Sequence, residues 1–423
     1  MEKIYIKTYG CSNNQAESEI MAGILSKAGY AIADSSDNSI IVIVNTCTVK
    51  SRTEDKIIEE IKRLKKRKLI IAGCIVDAYP NIIRKIAPDA SIIGTHCITR
   101  IDEAVRRMLN NERVEFIDRM HSDKLLLPKK RTSSIIDIIP IESGCISSCA
   151  FCATRLAKGS LKSYSIERIL NEISRSRSNG YKEFWLTGQD CSCYGIDIGA
   201  NLPELINSIT SNIPGRYFLR IGMQNPLYTK RNVQKLIQAY RHDNVFKFLH
   251  LPVQSGSDYI LKRMSRGHNV EDYHSIVNEF KKAFPKMTLI TDIITGFPGE
   301  TEDDFEKSIN LIKETRPDFV NISKFGSRPG TKASRMKQLT SNTIKERSMR
   351  LSEITKEIAL EKNREWIGWR GNAIVDEYKK DKKNWLARNT SYKPIIINDN
   401  VSLGQIIDVE IINSDRSLIG AVI

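Results

Sequence analysis

Ser143-Gly144-Cys145-Ile146-Ser147-Ser148-Cys149-Ala150-Phe151-Cys152 places three cysteines within eight residues, spaced Cys-x-x-x-Cys-x-x-Cys. Three thiolates on one short loop can each hold one iron of a cubane cluster. Such a cluster ordinarily has four ligands, and no fourth cysteine follows at close spacing. The fourth iron would then offer an open position to a small chelating molecule. Two plainer readings compete: three buried cysteines, or three ligands of a zinc site. Zinc ordinarily takes four ligands in paired knuckles, and no partner pair is evident.

Working outward, residues 135–141 read as the strand that delivers the chain into this loop. Further strands are expected at 183–187, 217–221, 245–251, 288–295 and 319–323, with helical periodicity between them. Six strands with helical connections predict a partial (β/α)6 barrel, whose functional loops gather at the C-terminal strand ends. The cysteine loop lies at that end of the first strand. Later strands run into polar, turn-rich loops, including Thr187-Gly188-Gln189-Asp190, Gly222-Met223-Gln224-Asn225, Pro252-Val253-Gln254-Ser255 and Gly296-Phe297-Pro298-Gly299. Glycine allows close backbone approach, and Gln, Ser and Thr both donate and accept. Four such loops around one barrel mouth predict a bound polar cofactor.

Upstream, residues 1–118 alternate apolar runs at 4–8, 40–44, 68–72 and 90–93 with helical stretches at 15–28, 54–66 and 100–110. That order predicts a parallel, doubly wound sheet. Cys11, Cys47 and Cys74 each fall just beyond a predicted strand, in Tyr9-Gly10-Cys11, Asn45-Thr46-Cys47 and Ala72-Gly73-Cys74. Ligands bind outside the carboxyl ends of strands in such sheets, so these three thiols are expected to converge, as metal ligands or as small residues capping strands.

A polar, basic linker is expected at 119–134. The central domain then covers 135–362. Residues 363–423 read as five short strands, a small OB-like barrel of a kind that often binds nucleic acid. There Trp385, Arg388, Tyr392 and Lys393 combine aromatic rings with positive charge, as a stacking and phosphate-binding surface requires. The chain of 423 residues carries 65 Lys and Arg against 50 Asp and Glu, a net charge of +15. That excess points to a polyanion, RNA before membrane. No run approaches a membrane span and the N-terminus has no signal-peptide pattern, so a cytoplasmic protein with reactive or metal-binding cysteines is expected.

Assembled, these motifs resemble the radical S-adenosylmethionine (SAM) tRNA methylthiotransferase family. The resemblance rests on Tyr9-Gly10-Cys11-Ser12-Asn13-Asn14, Asn45-Thr46-Cys47-Thr48-Val49, Ala72-Gly73-Cys74, the Cys145/Cys149/Cys152 loop, and the Leu251–Ser257 and Gly296–Thr301 loops. It extends to the terminal barrel, similar to a TRAM domain, and so to nearly the whole chain. The run from Trp185 to Asp197 looks most like the archaeal and eukaryotic branch, which acts on N6-threonylcarbamoyladenosine beside the anticodon.

The resemblance implies two 4Fe–4S clusters and SAM. Cys145, Cys149 and Cys152 would hold the cluster that binds and cleaves SAM to a 5′-deoxyadenosyl radical. Cys11, Cys47 and Cys74 would hold a second cluster, whose open iron handles the sulfur delivered to C2 of the adenine. Gln189, Arg220, Gln254 and Ser255 are the expected SAM contacts, and no catalytic side chain is assigned. Implied partners are the tRNA anticodon stem-loop and an electron donor such as ferredoxin or flavodoxin, with no membrane. Cys191 and Cys193 stand where that branch usually has small residues such as Thr and Gly, Cys97 has no assigned role, and Ile75-Val76-Asp77 lacks the usual Pro-Gln. Thiolation of isopentenyladenosine or a protein aspartate remains an alternative, as does a non-catalytic iron–sulfur or zinc protein that binds RNA.

Overall fold

The computed structural model describes residues 1–49, 51–118, 120 and 122–423. Arg119 and His121, at the head of the expected linker, lie outside the described residues. The N-terminal sheet has six parallel strands in the spatial order Ala31–Ile32, Lys3–Thr8, Ile41–Thr46, Leu69–Gly73, Ser91–Ile93, Glu115–Phe116. Ile41–Thr46 is buried at every position, as a central parallel strand covered on both faces must be. Separate apolar clusters fill the two faces, one under helices Ser12–Lys27 and Ile101–Leu109, the other under Ser51–Leu64 and Pro80–Ile86. The two edge strands not foreseen are two residues long, too short to carry a period.

The central barrel consists of six parallel strands in chain order. Ile136–Pro140, Glu183–Thr187 and Phe218–Ile221 form one half, and Phe248–His250, Thr288–Thr295 and Phe319–Lys324 the other. The halves meet at a narrow seam, Leu219 pairing with Val245. Helices between the strands cover the outside and share one large apolar core with them. Helices Val270–Ala283 and Glu302–Thr315 begin with capping boxes, Asn269 with Asp272 and Thr301 with Asp304, which satisfy otherwise orphaned N–H groups.

The segment between the two α/β units is a packed strap rather than a loose tether. Lys129 and Arg131 are buried against Asp137 and Glu172, and Lys130 N–H donates to Glu19 O at 2.9 Å. Lys129 and Arg131 are thus consumed in ion pairs, while Lys130 ties the strap down through its backbone.

Residues 370–422 form the closed five-stranded barrel, ordered Arg370–Lys379, Asn384–Asn389, Pro394–Ile397, Leu418–Val422, Ile406–Ser414. It docks at the N-terminal ends of the central strands. Tyr392 lies 4.9 Å from the Phe246 ring and 5.0 Å from Phe248. Lys393 reaches Asp318 and Asn363, both at 2.9 Å, and Arg388 pairs with Asp376. Tyr392 and Lys393, two of the four residues expected to face RNA, therefore face the neighbouring unit instead, and Arg388 is committed to Asp376 within the barrel. Aromatic rings beside positive charge suit a buried domain contact as well as a nucleotide. Trp385 remains half-buried, its ring tilted at 52° against that of exposed Tyr378 with centroids 4.7 Å apart.

Asn363 bridges this contact, accepting from Lys393 and donating to Asp415 O at 3.0 Å. Asn363→Ala deprives Asp415 O of this donor and leaves Lys393 with Asp318 alone at a buried seam, for an expected loss of about 1–3 kcal/mol. Thermal unfolding of the variant checks it.

Candidate metal centre

Three adjacent strands of the N-terminal sheet end at the same level, with Thr8 opposite Asn45 and Thr46 opposite Gly73. Cys11 caps helix Ser12–Lys27, Cys47 follows the central strand directly, and Cys74 opens helix Cys74–Ala78. The alignment brings the three thiols together, as the sequence predicts. Cys11 and Cys47 share a hydrogen bond that holds Cys11 below the ordinary thiol range and pushes Cys47 above it. Burial pushes Cys74 up to about 12. Gly10 (φ +117°) makes the approach possible, because a Cβ there would stand 2.5 Å from Cys47 Cβ. Asn14 ties the loops, accepting from Cys11 Sγ at 3.3 Å and donating to Thr46 O at 2.8 Å.

The second triad sits at the barrel mouth, each cysteine partly exposed. Gly144 (φ +81°) turns the chain into the loop against Ser160 O, and its N–H donates to Gln189 Oε1 at 2.7 Å. Ala150 anchors the loop's centre through Met264 O and Ala333 N–H, both at 2.9 Å. Donors are aimed at the sulfurs: Ser147 N–H lies 3.3 Å from Cys145 Sγ, and buried Arg266 Nη1 lies 3.4 Å from Cys149 Sγ. Arg266 was not foreseen from sequence. It lies in the turn after helix Asp258–Arg263, and only its place beside a family loop could have flagged it.

The two triads face each other across the boundary between units. Helix Cys74–Ala78 packs on Thr154–Lys158, the helix that follows Cys152. Ser12 Oγ and Thr187 Oγ1 lie 2.9 Å apart, and Arg328 donates to Thr48 O and Val49 O at 2.7 and 2.6 Å, fixing the Cys47 loop. Between the triads, fully buried Glu17 takes Lys124 and Lys158, each at 2.5 Å, with Thr95 completing the group. Burial alone would raise the Glu17 carboxyl, yet the two ammonium groups hold it at about 2. Lys158 stays charged despite burial, held so by Glu17 and by the field of Cys74 and Cys11. Asp77, which accepts from Thr95 N–H at 2.6 Å, adds a second carboxyl to this group, one pushed up to about 6 by burial.

The four expected cofactor contacts separate. Gln189 and Gln254 stay at the mouth, Gln189 holding Gly144 and Gln254 (φ +79°) bridged to Ile293 on the neighbouring strand. Ser255 is fully buried and accepts from Ser257 N–H at 3.2 Å, with Ser308 Oγ at 3.5 Å. The Arg220 guanidinium sits in an aromatic box, 5.0 Å from Trp185, 4.9 Å from Phe248 and 5.3 Å from Tyr392 of the docked barrel. In the barrel, Asp292 accepts from Asn321 Nδ2 at 2.6 Å and lies 3.0 Å from His250 Nε2.

Comparisons with known proteins agree with this layout. Residues 3–94 match the family model described as "Uncharacterized protein family UPF0004", and residues 139–312 match the Radical SAM superfamily. A "Probable threonylcarbamoyladenosine tRNA methylthiotransferase" of Pyrococcus horikoshii is 42% identical over 402 residues, covering 94% of each chain. The Homo sapiens "Threonylcarbamoyladenosine tRNA methylthiotransferase" is 35% identical over 426 residues, 98% of this chain and 73% of the human one. Among solved structures, the radical SAM methyltransferase TsrM of Kitasatospora setae, with cobalamin and a [4Fe-4S] cluster bound, aligns at TM-score 0.56 and 12% identity over 79% of this chain and 74% of that one. That likeness concerns the fold.

Proposed function

This chain belongs to the threonylcarbamoyladenosine tRNA methylthiotransferases, and from that premise we propose how its own residues serve the reaction. It is a radical SAM transferase that methylthiolates C2 of N6-threonylcarbamoyladenosine in tRNA. One observation carries the assignment of parts: two cysteine triads facing each other across one boundary, with the Cys74 helix against the helix that follows Cys152. Cys145, Cys149 and Cys152 hold the 4Fe–4S cluster whose open iron takes SAM, and Cys11, Cys47 and Cys74 hold a second.

The residues present fit such groups. Thiolates bound to iron accept hydrogen bonds, and Ser147 N–H, Arg266 and Val49 N–H point at Cys145, Cys149 and Cys47. When bound, the clusters and SAM supply the radical and the sulfur that the side chains cannot. The protein's part is placement. Gln189 holds the cysteine loop by Gly144 and with Gln254 lines the SAM side of the mouth. Ser255 acts indirectly, by bracing the Gln254 turn, and Arg220 by bracing the docked barrel. His250, Asp292 and Asn321 present polar atoms to an adenine entering the barrel. Lys158 and Lys124 balance the negative charge of the N-terminal thiolates.

The strongly basic chain draws in the anticodon stem-loop. Units 1–118, 135–362 and 363–423 divide the work, with the terminal barrel contacting RNA through Trp385 and Tyr378. An electron donor such as ferredoxin or flavodoxin serves the first cluster, in the cytoplasm. No described helix is long and apolar enough to cross a membrane. Nucleoside mass spectrometry of tRNA from cells lacking the gene tests the substrate: the 2-methylthio derivative of threonylcarbamoyladenosine should vanish and return with the gene. Unchanged levels would sink the proposal.

Tyr378→Ala removes one ring of the exposed Tyr378–Trp385 pair, a surface for a base to stack on. One lost base stack is worth about 1–3 kcal/mol, so tRNA binding should weaken about tenfold while the fold persists. Filter binding at fixed salt measures it.

A further inference from the structure

Cys193, fully buried, is one of three cysteines that neither triad uses, and it lies against Cys145. Cys145 Sγ, Cys193 Sγ and a carboxylate oxygen of Asp190 all fall within 4.8 Å of one another. Asp190 is 2% exposed. Its Oδ1 accepts from Ser192 N–H at 3.2 Å, Ser192 Oγ at 2.5 Å and Asn225 N–H at 3.0 Å. Its Oδ2 is buried with no hydrogen-bond partner among the described residues. An unpartnered buried carboxylate oxygen needs either a proton or a cation. Glu142, also fully buried, stands behind, with Oε2 at 3.8 Å from Cys193 Sγ. Two thiols and two carboxyls thus share a pocket whose nearby cation, Arg266, is committed to Cys149 and Pro252 O.

We propose that Cys145, Cys193 and Asp190 form a mononuclear site for one ferrous ion, used before the cluster of the cysteine loop is complete. Bonds of ~2.3 Å to sulfur and ~2.1 Å to oxygen put tetrahedral ligands ~3.5–3.8 Å apart, so three ligand atoms within 4.8 Å of one another have at most about 1 Å to close. Thiolate ligands suit iron and zinc. Binding forms two metal–sulfur bonds and one metal–oxygen bond; the two thiol protons, and the proton that the unpartnered Asp190 carboxyl carries in the ion's absence, leave to solvent, with no change of oxidation state. Because Cys145 belongs to both sets, the single ion and the cubane are successive occupants. Cys149 and Cys152 then take over as sulfide and three further irons arrive, two of them ferric, so that the cubane forms without an added oxidant. This sequence rests on the cluster assignment above, whereas the ion site does not.

Cobalt(II) is the probe, added anaerobically to the full-length, cluster-free protein carrying Cys11→Ser to weaken the N-terminal triad. One cobalt per chain should give thiolate-to-metal absorption and tetrahedral ligand-field bands. Loss of second-shell partners alone costs ~10–100-fold in metal affinity, so Cys193→Ser, removing a ligand, should weaken binding at least ~100-fold. Cys149→Ser should retain the bands. Circular dichroism and an additional Cys193→Ala variant separate ligand loss from misfolding. Bands unchanged in Cys193→Ser, or lost equally in Cys149→Ser, would overturn the site. In the otherwise native chain, Cys193→Ser should slow reconstitution of the cubane with iron and sulfide several-fold while reaching the same iron content, and an equal rate would overturn the staging role. A native chain that binds cobalt in this way yet builds no cubane would overturn the cluster assignment and leave the ion site standing.

Discussion

Cys149→Ala is expected to drop reconstituted iron from about eight per chain to about four, given two cubane clusters, and to abolish 5′-deoxyadenosine formation. Cys149 is only partly buried, and its sulfur's contact is the Arg266 guanidinium at 3.4 Å. Removing it opens no core cavity, so circular dichroism should match the parent. The matched experiment is Cys11→Ala, at the other triad. It should lose the same quantity of iron and yet keep 5′-deoxyadenosine formation, while the methylthiolated nucleoside disappears. Both losses are to background, because no side chain substitutes for either group. Iron and sulfide assays, with liquid chromatography of the reduced SAM mixture, read all three quantities. If Cys11→Ala also stopped 5′-deoxyadenosine formation, the division of labour between the triads would be wrong.

Much of this site is legible in the chain because its key residues follow local signals. Gly10-Cys11 and Gly73-Cys74 each end an apolar run, so placement at a sheet edge follows from strand prediction and parallel topology alone. The Cys145 loop is a single contiguous motif. What escaped depends on contacts between distant segments. Glu17 meets Lys158 across 141 residues, and Arg266 meets Cys149 across 117. Neither pairing has a sequence period: the first arises only when one unit docks on another, the second only when the central barrel closes and brings the turn after helix Asp258–Arg263 to the cysteine loop. Cys193 shows the same limit: its sequence neighbours suggest an inert thiol, and the fold turns it onto Cys145. Arg388, Tyr392 and Lys393 erred in the opposite direction, since composition alone cannot say which face of a small barrel meets RNA and which meets protein.

Glu17→Gln should destabilise the protein by about 3–5 kcal/mol, the usual consequence of removing one partner from a buried ion pair. Glutamine keeps the volume and the hydrogen-bonding oxygen but leaves the Lys124 and Lys158 ammonium groups facing each other without a counter-charge. Burial already lowers Lys124, so its neutralisation is the expected relief, with charge lost near Cys74. The pH dependence gives an independent check. The Glu17 carboxyl is held at about 2 in the folded protein against an ordinary 4.5. A depressed folded value means that the unfolded chain binds the proton first as pH falls, so the stabilisation is complete above about 4.5 and disappears as pH approaches 2. The shift corresponds to about 3.5 kcal/mol at about 1.4 kcal/mol per pH unit, in line with the mutational figure. Urea unfolding of the cluster-free protein and its Glu17→Gln variant should therefore differ most near pH 7 and converge between pH 4.5 and 2. Curves that stay parallel through that window would place the variant's deficit in packing rather than in charge. At neutral pH the same variant should also lose iron preferentially from the N-terminal triad. That is the triad beside which Glu17 keeps Lys158 charged, whereas the barrel cluster has its own donors in Ser147 and Arg266.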